Sequence, residues 1–187
     1  GLENYELASQ SLDILKKLSL KFSNDDIQSI NKNKLLTVFD SVDESARIKQ
    51  AFINQLETPV TGERSLSLKL EILDFVSSNL SLTDKTPTVS HFFLGFQVTN
   101  ILSLGPKLST FICSEVSLLK SLSYLITSSL SVVNHQNVDY APMRLASSSM
   151  EIILKLCRNP MTSSMVLEYL TSQSLFENIL ELDPKID

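Results

Sequence analysis

The sequence predicts an all-α protein built from stacked antiparallel helix pairs, as in a fragment of a HEAT- or armadillo-like α-solenoid. Apolar residues recur at helical spacing along most of the chain. Only 4 glycines and 6 prolines occur among 187 residues, so turns are few and long elements are favoured. The predicted connections are short, and stacking side by side is the simplest way for one-sided helices to bury their apolar faces.

Two helices are predicted at the start of the chain. The first spans residues 2–22, and its core-facing stripe consists of Tyr5, Ala8, Leu12, Leu15, Leu18 and Phe22. Asn24 or Asp25 caps the second helix, which we expect to be interrupted near residues 31–33. The core face of this second helix includes Val38.

A capping-box pattern introduces the third helix, because Ser41 is followed three residues later by Glu44. The helix carries apolar residues at helical spacing and ends at a loop break near residues 58–64. Thr58-Pro59 and Gly62 provide the stop signals there.

Residues 65–80 carry two conflicting signals. Leucines at alternate positions fit a strand, whereas Leu66, Leu70, Leu73 and Val76 share one face of a helix. Leu, Lys and Glu are good helix formers and β-branched residues are scarce in this segment, so we predict a helix. A polar loop break follows near residues 81–87.

Thr86 and Pro87 are predicted to start the next helix, with Thr86 as the N-cap and Pro87 as the first helical residue. This helix runs through His91 to about Thr99, which places Gly95 inside it. A glycine inside a helix costs about 1 kcal/mol relative to alanine. We therefore expect a neighbouring helix to approach Gly95 closely.

The second half of the chain is predicted to contain four further helices, at about 108–133, 140–158, 162–171 and 173–182. Gly105-Pro106 and Asn159-Pro160 supply two of the breaks between them.

The sequence contains no pattern for a catalytic, metal or cofactor site. The few glycines form neither a dinucleotide fingerprint nor a P-loop, and no Cys or His pair has zinc-ligand spacing. His91 lies in an apolar helix, which favours a partly buried ring that donates to a backbone carbonyl over a catalytic base. Cys113 and Cys157 each lie in an apolar run, which favours buried free thiols over reactive ones.

Charge and hydropathy argue against a nucleic-acid-binding protein and a membrane-spanning protein. The chain has 16 Lys and Arg against 21 Asp and Glu, a net charge of −5, which argues against nucleic acid as the partner. No apolar run is long enough to predict a membrane span. The Leu-Ser runs at 65–68, 80–82, 121–123 and 128–131 are expected to lie on helix surfaces.

The stretch from Thr86 to Gln97, TPTVSHFFLGFQ, is similar to a segment of the large inner-ring α-solenoid scaffold nucleoporins of the nuclear pore complex. The downstream order also resembles this family: a long apolar helix, a helix that ends ILKLC at Cys157, and then MTSSMVLEYL at 161–170. The Ser174-Leu-Phe176 segment follows. The resemblance covers residues 86–187, whereas residues 1–85 match only in being helical.

The resemblance implies a non-catalytic scaffold of the inner ring, located in the nucleus at the nuclear envelope, that supports transport of protein and mRNA. It implies no cofactor. The implied partners are other nucleoporins, reached through short linear motifs in grooves between helices, and transport receptors. The family-like structural positions are Pro87, Leu94, Gly95, Phe96, Leu156, Cys157, Tyr169, Leu170 and Phe176.

Two other functions are weighed against the scaffold hypothesis. A helical-repeat adaptor, such as a transport receptor or vesicle-coat module, would use the same helix packing and an acidic surface for basic cargo segments. An all-α enzyme would need a concave pocket with several polar groups of perturbed pKa. The missing initial Met and Gly1 predict that the chain is one solenoid segment, 1–187, cut from a longer protein.

Overall fold

The computed structural model of the chain describes residues 2–24, 34–41, 45–83, 86–96, 116–133 and 140–175. Every regular element within these ranges is an α-helix, and none is a strand. In chain order the helices are α1 (Leu2–Asn24), α2 (Lys34–Ser41), α3 (Ser45–Glu57), α4 (Glu63–Ser78), α5 (Val89–Leu94), α6 (Leu118–Val133), α7 (Tyr140–Arg158) and α8 (Ser163–Ser172). The predicted all-α class is confirmed, and the packed helices agree with an α-solenoid fragment.

Helix α4 lies at the centre of the packing, in contact with α1, α3, α5 and α7. This is the segment whose sequence fitted both a strand and a helix, and the prediction of a helix is confirmed. Its buried apolar residues are Leu68, Ile72, Leu73, Phe75 and Val76. The residues at 72, 73, 75 and 76 follow helical spacing, which an alternating strand could not bury on one side.

An aromatic cluster joins four helices around Phe93, which is fully buried on α5. Phe52 of α3 stacks on Phe93 at 4.6 Å between ring centroids, and Phe75 of α4 meets it edge-on at 5.9 Å. Phe39 of α2 contacts both Phe93 and Phe92, each at 5.5 Å. Aromatic pairs in such geometries add about 0.5–1.5 kcal/mol each beyond the area that they bury.

Polar side chains of α7 and of the residue that follows it bond to carbonyls at the end of α4 and just beyond it. Lys155 Nζ donates to Ser77 O at 3.0 Å and to Ser77 Oγ at 2.7 Å. Asn159 Nδ2 donates to Ser81 O at 2.9 Å. Ser77 O also accepts the Leu80 N–H, so these bonds add to the backbone capping of α4 and fix its end against α7.

Ser121 and Ser129 are buried, contrary to the expectation that the Leu-Ser runs lie on helix surfaces, and Ser90 is a buried serine outside these runs. Ser129 Oγ donates to Pro142 O at 2.7 Å, and Ser121 Oγ donates to Glu57 Oε1 at 2.8 Å. Ser90 Oγ donates to Val76 O at 2.8 Å. A buried hydroxyl needs such a partner, so these serines connect one helix to the next.

The buried faces of α1 and α2 differ from the predicted ones at single positions. Leu18 is exposed and Ser19 is buried in its place, since the seam of α1 continues from Leu12 and Leu15 by steps of three and four residues. Val38 is 53% exposed, whereas Leu36 is buried.

The predicted start of α3 is also wrong. Ser41 is the last residue of α2, and α3 begins at Ser45, so Ser41 does not cap α3. Glu44, the other half of the predicted capping box, lies outside the described residues.

Helix α5 is shorter than predicted and starts later. Thr88 is the N-cap, so Pro87 precedes the cap rather than starting the helix. The helix ends at Leu94 because Gly95 adopts φ 97° at the C-cap, a left-handed conformation that terminates helices. Gly95 is therefore a C-cap and not an internal helix residue.

Helix α6 begins at Leu118 and not near residue 108, because Val116 and Ser117 are not helical. Ser117 Oγ accepts the Leu119 N–H at 3.2 Å, as an N-cap does. Predictions for residues 25–33, 97–115 and 176–187 lie outside the described residues.

Candidate functional site

An apolar groove runs between α1, α3 and α4 and encloses about 280 Å³. Its apolar lining consists of Ala8, Leu12 and Leu15 from α1, Ala51 and Phe52 from α3, and Leu68 and Ile72 from α4. Ser11 and Gln55 are the polar lining residues. Ser11 and Ala51 are exposed, whereas Leu12, Leu68 and Ile72 are buried, so the buried residues form the floor. A groove of this composition fits apolar side chains of a peptide better than a charged small molecule.

The side of the groove formed by α1 is held on α4 by polar contacts. Ser9 Oγ donates to Glu71 Oε2 at 2.7 Å, and the Tyr5 hydroxyl donates to Glu71 Oε1 at 3.3 Å. Lys16 forms an ion pair with Asp74 further along. Leu12 separates the groove from a second, polar hollow of about 280 Å³ that Glu71, Asp74 and Lys16 help to line. These contacts fix the distance between α1 and α4, and with it the width of the groove.

Buried Lys69 holds the end of α3, the opposite side of the groove. Its side chain is 1% exposed, and Nζ donates to Leu56 O at 2.6 Å and to Thr58 O. Burial lowers the pKa of Lys69. The carbonyl end of a helix attracts a cation, so the ammonium stabilises the end of α3.

His91 is fully buried at the N-terminal end of α5. We expected its ring to donate to a backbone carbonyl, and for the Nδ1 atom this prediction is wrong. That atom accepts the Thr88 N–H at 3.0 Å and lies 3.0 Å from the Thr88 hydroxyl. Nε2 has no hydrogen-bond partner within the described residues. Burial lowers the pKa of His91 to about 4. The ring is therefore uncharged at neutral pH, and its burial keeps it out of contact with any substrate.

The described residues offer neither a reactive thiol nor a metal site. Cys157 is a half-buried free thiol, and burial raises its pKa, which keeps it protonated and unreactive. Among the side chains that the structure describes, no group of His, Cys, Asp and Glu could hold a metal ion. In the same part of the chain, no helix has the length and apolar character to cross a membrane.

The family-like positions fall into two separate places. Pro87, Leu94, Gly95 and Phe96 are buried at the two ends of α5. Leu156, Tyr169 and Leu170 are buried on α7 and α8, which contact each other, and Cys157 is half-buried beside them. Phe176 lies outside the described residues. Of the described members, all except half-buried Cys157 are buried, and none lines the groove.

Sequence reasoning missed the groove and the residues that support it. Lys69 sits in an ordinary Leu-rich amphipathic helix, and nothing in its sequence surroundings distinguishes it from a solvated lysine. The sequence surroundings of Glu71 are likewise those of a solvated surface carboxylate. The only signal for the groove was the apolar stripe that includes Ala8, Leu12 and Leu15, which α3 and α4 cover incompletely.

A comparison with protein-family models gives one match over the whole chain. The model is described as Nup192, nuclear pore complex scaffold, nucleoporins 186/192/205, and it covers residues 1–187. The match includes residues 1–85, for which the sequence had given helical character alone. No curated protein matches the chain.

Proposed function

The chain belongs to the Nup192 family of nuclear pore complex scaffold nucleoporins, and on this basis we propose that it is a structural segment of the inner ring that supports nucleocytoplasmic transport. Its cellular location is the nuclear pore complex at the nuclear envelope. The observation that carries the proposal is the family match from residue 1 to residue 187. In this proposal, residues 1–187 form a single solenoid segment.

The proposed mechanism is architectural and involves no catalysis. Helix packing around α4 holds the groove sides in fixed positions, through the Glu71 contacts on α1 and the Lys69 contacts on α3. Burial shifts the pKa of three groups among the described residues: Lys69 is bonded to backbone carbonyls, and His91 and Cys157 are neutral and buried or half-buried. These features favour a protein that presents surfaces over one that converts a substrate.

The groove is the proposed docking place for a short linear motif of another nucleoporin. Its floor of Leu12, Leu68 and Ile72 offers an apolar surface to a few side chains of an extended or helical segment. Polar Ser11 and Gln55 provide hydrogen-bonding groups for a peptide backbone. Transport receptors are a second class of partner that such a scaffold would meet.

The test is to express the parent protein with a fluorescent tag and to recover its associated proteins after gentle lysis. A punctate nuclear rim, with other inner-ring nucleoporins recovered in stable amounts, is the expected result. Recovery with pore components outside the inner ring would contradict the inner-ring role. A diffuse or vesicular protein bound to a small GTPase would instead support the adaptor hypothesis.

A further inference from the structure

The outward face of α7 carries an apolar stripe of Tyr140, Met143, Met150 and Leu154, whose exposed fractions lie between 42% and 74%. Exposed Ser147 and half-buried Cys157 complete the series, so consecutive members are alternately three and four residues apart. Such spacing is the a and d pattern of a coiled-coil seam, which is narrower than the face that a helix packs against a globular core. We refer to these six residues as the α7 stripe.

The stripe is separate from the face by which α7 packs into the protein. Leu145, Ile152 and Leu156 of α7 are buried, and the helix contacts α4, α6 and α8. The large side chains of the stripe stay exposed after these contacts are made. Scattered apolar residues on a surface need no explanation, but four large exposed apolar side chains in one row along a helix are typical of an interaction surface. Methionines are common on such surfaces because their side chains adapt to a partner.

Charged residues recur at every seventh position beside the stripe, at Arg144, Glu151 and Arg158. Glu151 is neutralised within the chain, because Lys155 Nζ lies 3.2 Å from it and Ser77 Oγ donates to it at 3.1 Å. Neither arginine has an ion-pair partner within the described residues. Fourteen residues separate them, a distance of about 21 Å along the helix. Within the described part of the chain, two positive charges beside the exposed seam thus have no acidic partner.

A second copy of the chain does not fit this pattern. The α7 helices of two copies would pack antiparallel about a two-fold axis. When the two stripes overlap in full, Met143 of one copy faces Leu154 of the other, and Arg144 lies nearest to Glu151 of the other copy. That carboxylate is already paired with Lys155, and Arg158 meets no carboxylate on the opposing stripe, so a second copy compensates the two arginines poorly.

We propose that the α7 stripe docks an acidic amphipathic helix of a separate polypeptide. The partner helix packs its own apolar a and d residues on Met143, Met150 and Leu154. Two of its carboxylates, spaced two heptads apart, face Arg144 and Arg158. The stripe lies on a different helix from those that form the groove between α1, α3 and α4, and the proposal does not depend on an inner-ring position.

The test uses the full chain and two labelled synthetic helices of three heptads, both with leucine at a and d. One carries glutamate at the flanking positions and the other lysine. Fluorescence anisotropy is expected to show the glutamate helix binding about fivefold or more tightly, with a preference that weakens as salt is added. The double variant Arg144→Glu/Arg158→Glu is expected to reverse this order. Arg64→Glu, at an exposed arginine in the first turn of α4, is the charge-matched control and leaves the order unchanged.

A second pair of variants tests the apolar seam. Met150→Ser/Leu154→Ser is expected to abolish binding of the glutamate helix while circular dichroism and thermal unfolding stay as in the parent. Tyr124→Ser, at an exposed residue of α6, is the control and retains binding. Equal binding of the two helices, or an order unaffected by the double charge reversal, overturns the proposal. Sedimentation that shows a dimer of the chain, lost on Met150→Ser/Leu154→Ser, also overturns it, because the stripe then belongs to a second copy.

Discussion

A Cβ atom placed on Gly95 would lie 2.7 Å from Oγ and 2.8 Å from Cβ of Ser117. The same Ser117 hydroxyl donates to Leu94 O at 2.6 Å and accepts the Leu119 N–H at 3.2 Å. One serine therefore satisfies the last turn of α5 and the first turn of α6 at once. It can reach both only because residue 95 has no side chain.

Gly95→Ala is expected to lower the free energy of unfolding by about 2–4 kcal/mol, measured by urea denaturation. Strain at positive φ and overpacking against Ser117 both contribute. Ser117→Gly, added to Gly95→Ala, removes the obstructing atoms and should restore part of the loss, although alone it destabilises through lost hydrogen bonds. Additive effects of the two substitutions in this double-mutant cycle would disprove the steric explanation.

Lys69→Met is expected to lower the free energy of unfolding by about 1–3 kcal/mol, because Leu56 O and Thr58 O lose their donor in a buried place. Methionine keeps most of the side-chain volume, so packing changes little. Lys120→Met, at an exposed lysine of α6, is the matched control and should stay within about 0.5 kcal/mol of the parent. A stabilised Lys69→Met variant would show instead that burial of the ammonium outweighs its hydrogen bonds.

Stability is expected to fall with acidification through the titration of His91. Its pKa is about 4 in the fold against 6.5 in the unfolded chain. Between these values the unfolded chain binds the additional proton, so the contribution is fully present above pH 6.5 and is lost progressively down to about pH 4. The shift corresponds to about 3 kcal/mol.

His91→Gln provides the comparison for this pH dependence. Glutamine retains an acceptor for the Thr88 N–H, as in a capping box, but does not titrate. Denaturant midpoints measured at several pH values should therefore decline less in His91→Gln than in the parent between pH 6.5 and 4. Parallel declines would show that carboxylates, and not His91, cause the acid sensitivity.

Ala51→Arg is expected to block the groove and to reduce recovery of partner nucleoporins with the full-length protein. Ala51 is an exposed lining residue, so a long charged side chain there covers the apolar floor without disturbing the core. Ala46→Arg, at an exposed position of the same helix outside the groove, is the matched control. If the two variants recover partners equally, the groove is not a docking site.

Helix content was predictable from the sequence because apolar spacing is a local property, and α4 was identified in spite of its alternating leucines. The end of α5 was not predictable, since the sequence alone does not tell a glycine inside a helix from one at its C-cap. The structure places Gly95 at the C-cap with φ 97°, and Ser117 packs against it. The supports of the groove were equally hidden. Lys69 and Glu71 act through residues at least 11 positions away in sequence, and spacing carries no information on such contacts.

The bonds from Lys155 to Ser77 and from Asn159 to Ser81 each connect residues that are 78 positions apart. At usual translation speeds, a ribosome needs about 4–16 seconds to add that many residues. During this interval the end of the central helix has been synthesised, but the side chains of Lys155 and Asn159 that bond to it have not. These long-range bonds therefore form late in synthesis, and a truncation before residue 155 removes both of them from the end of α4.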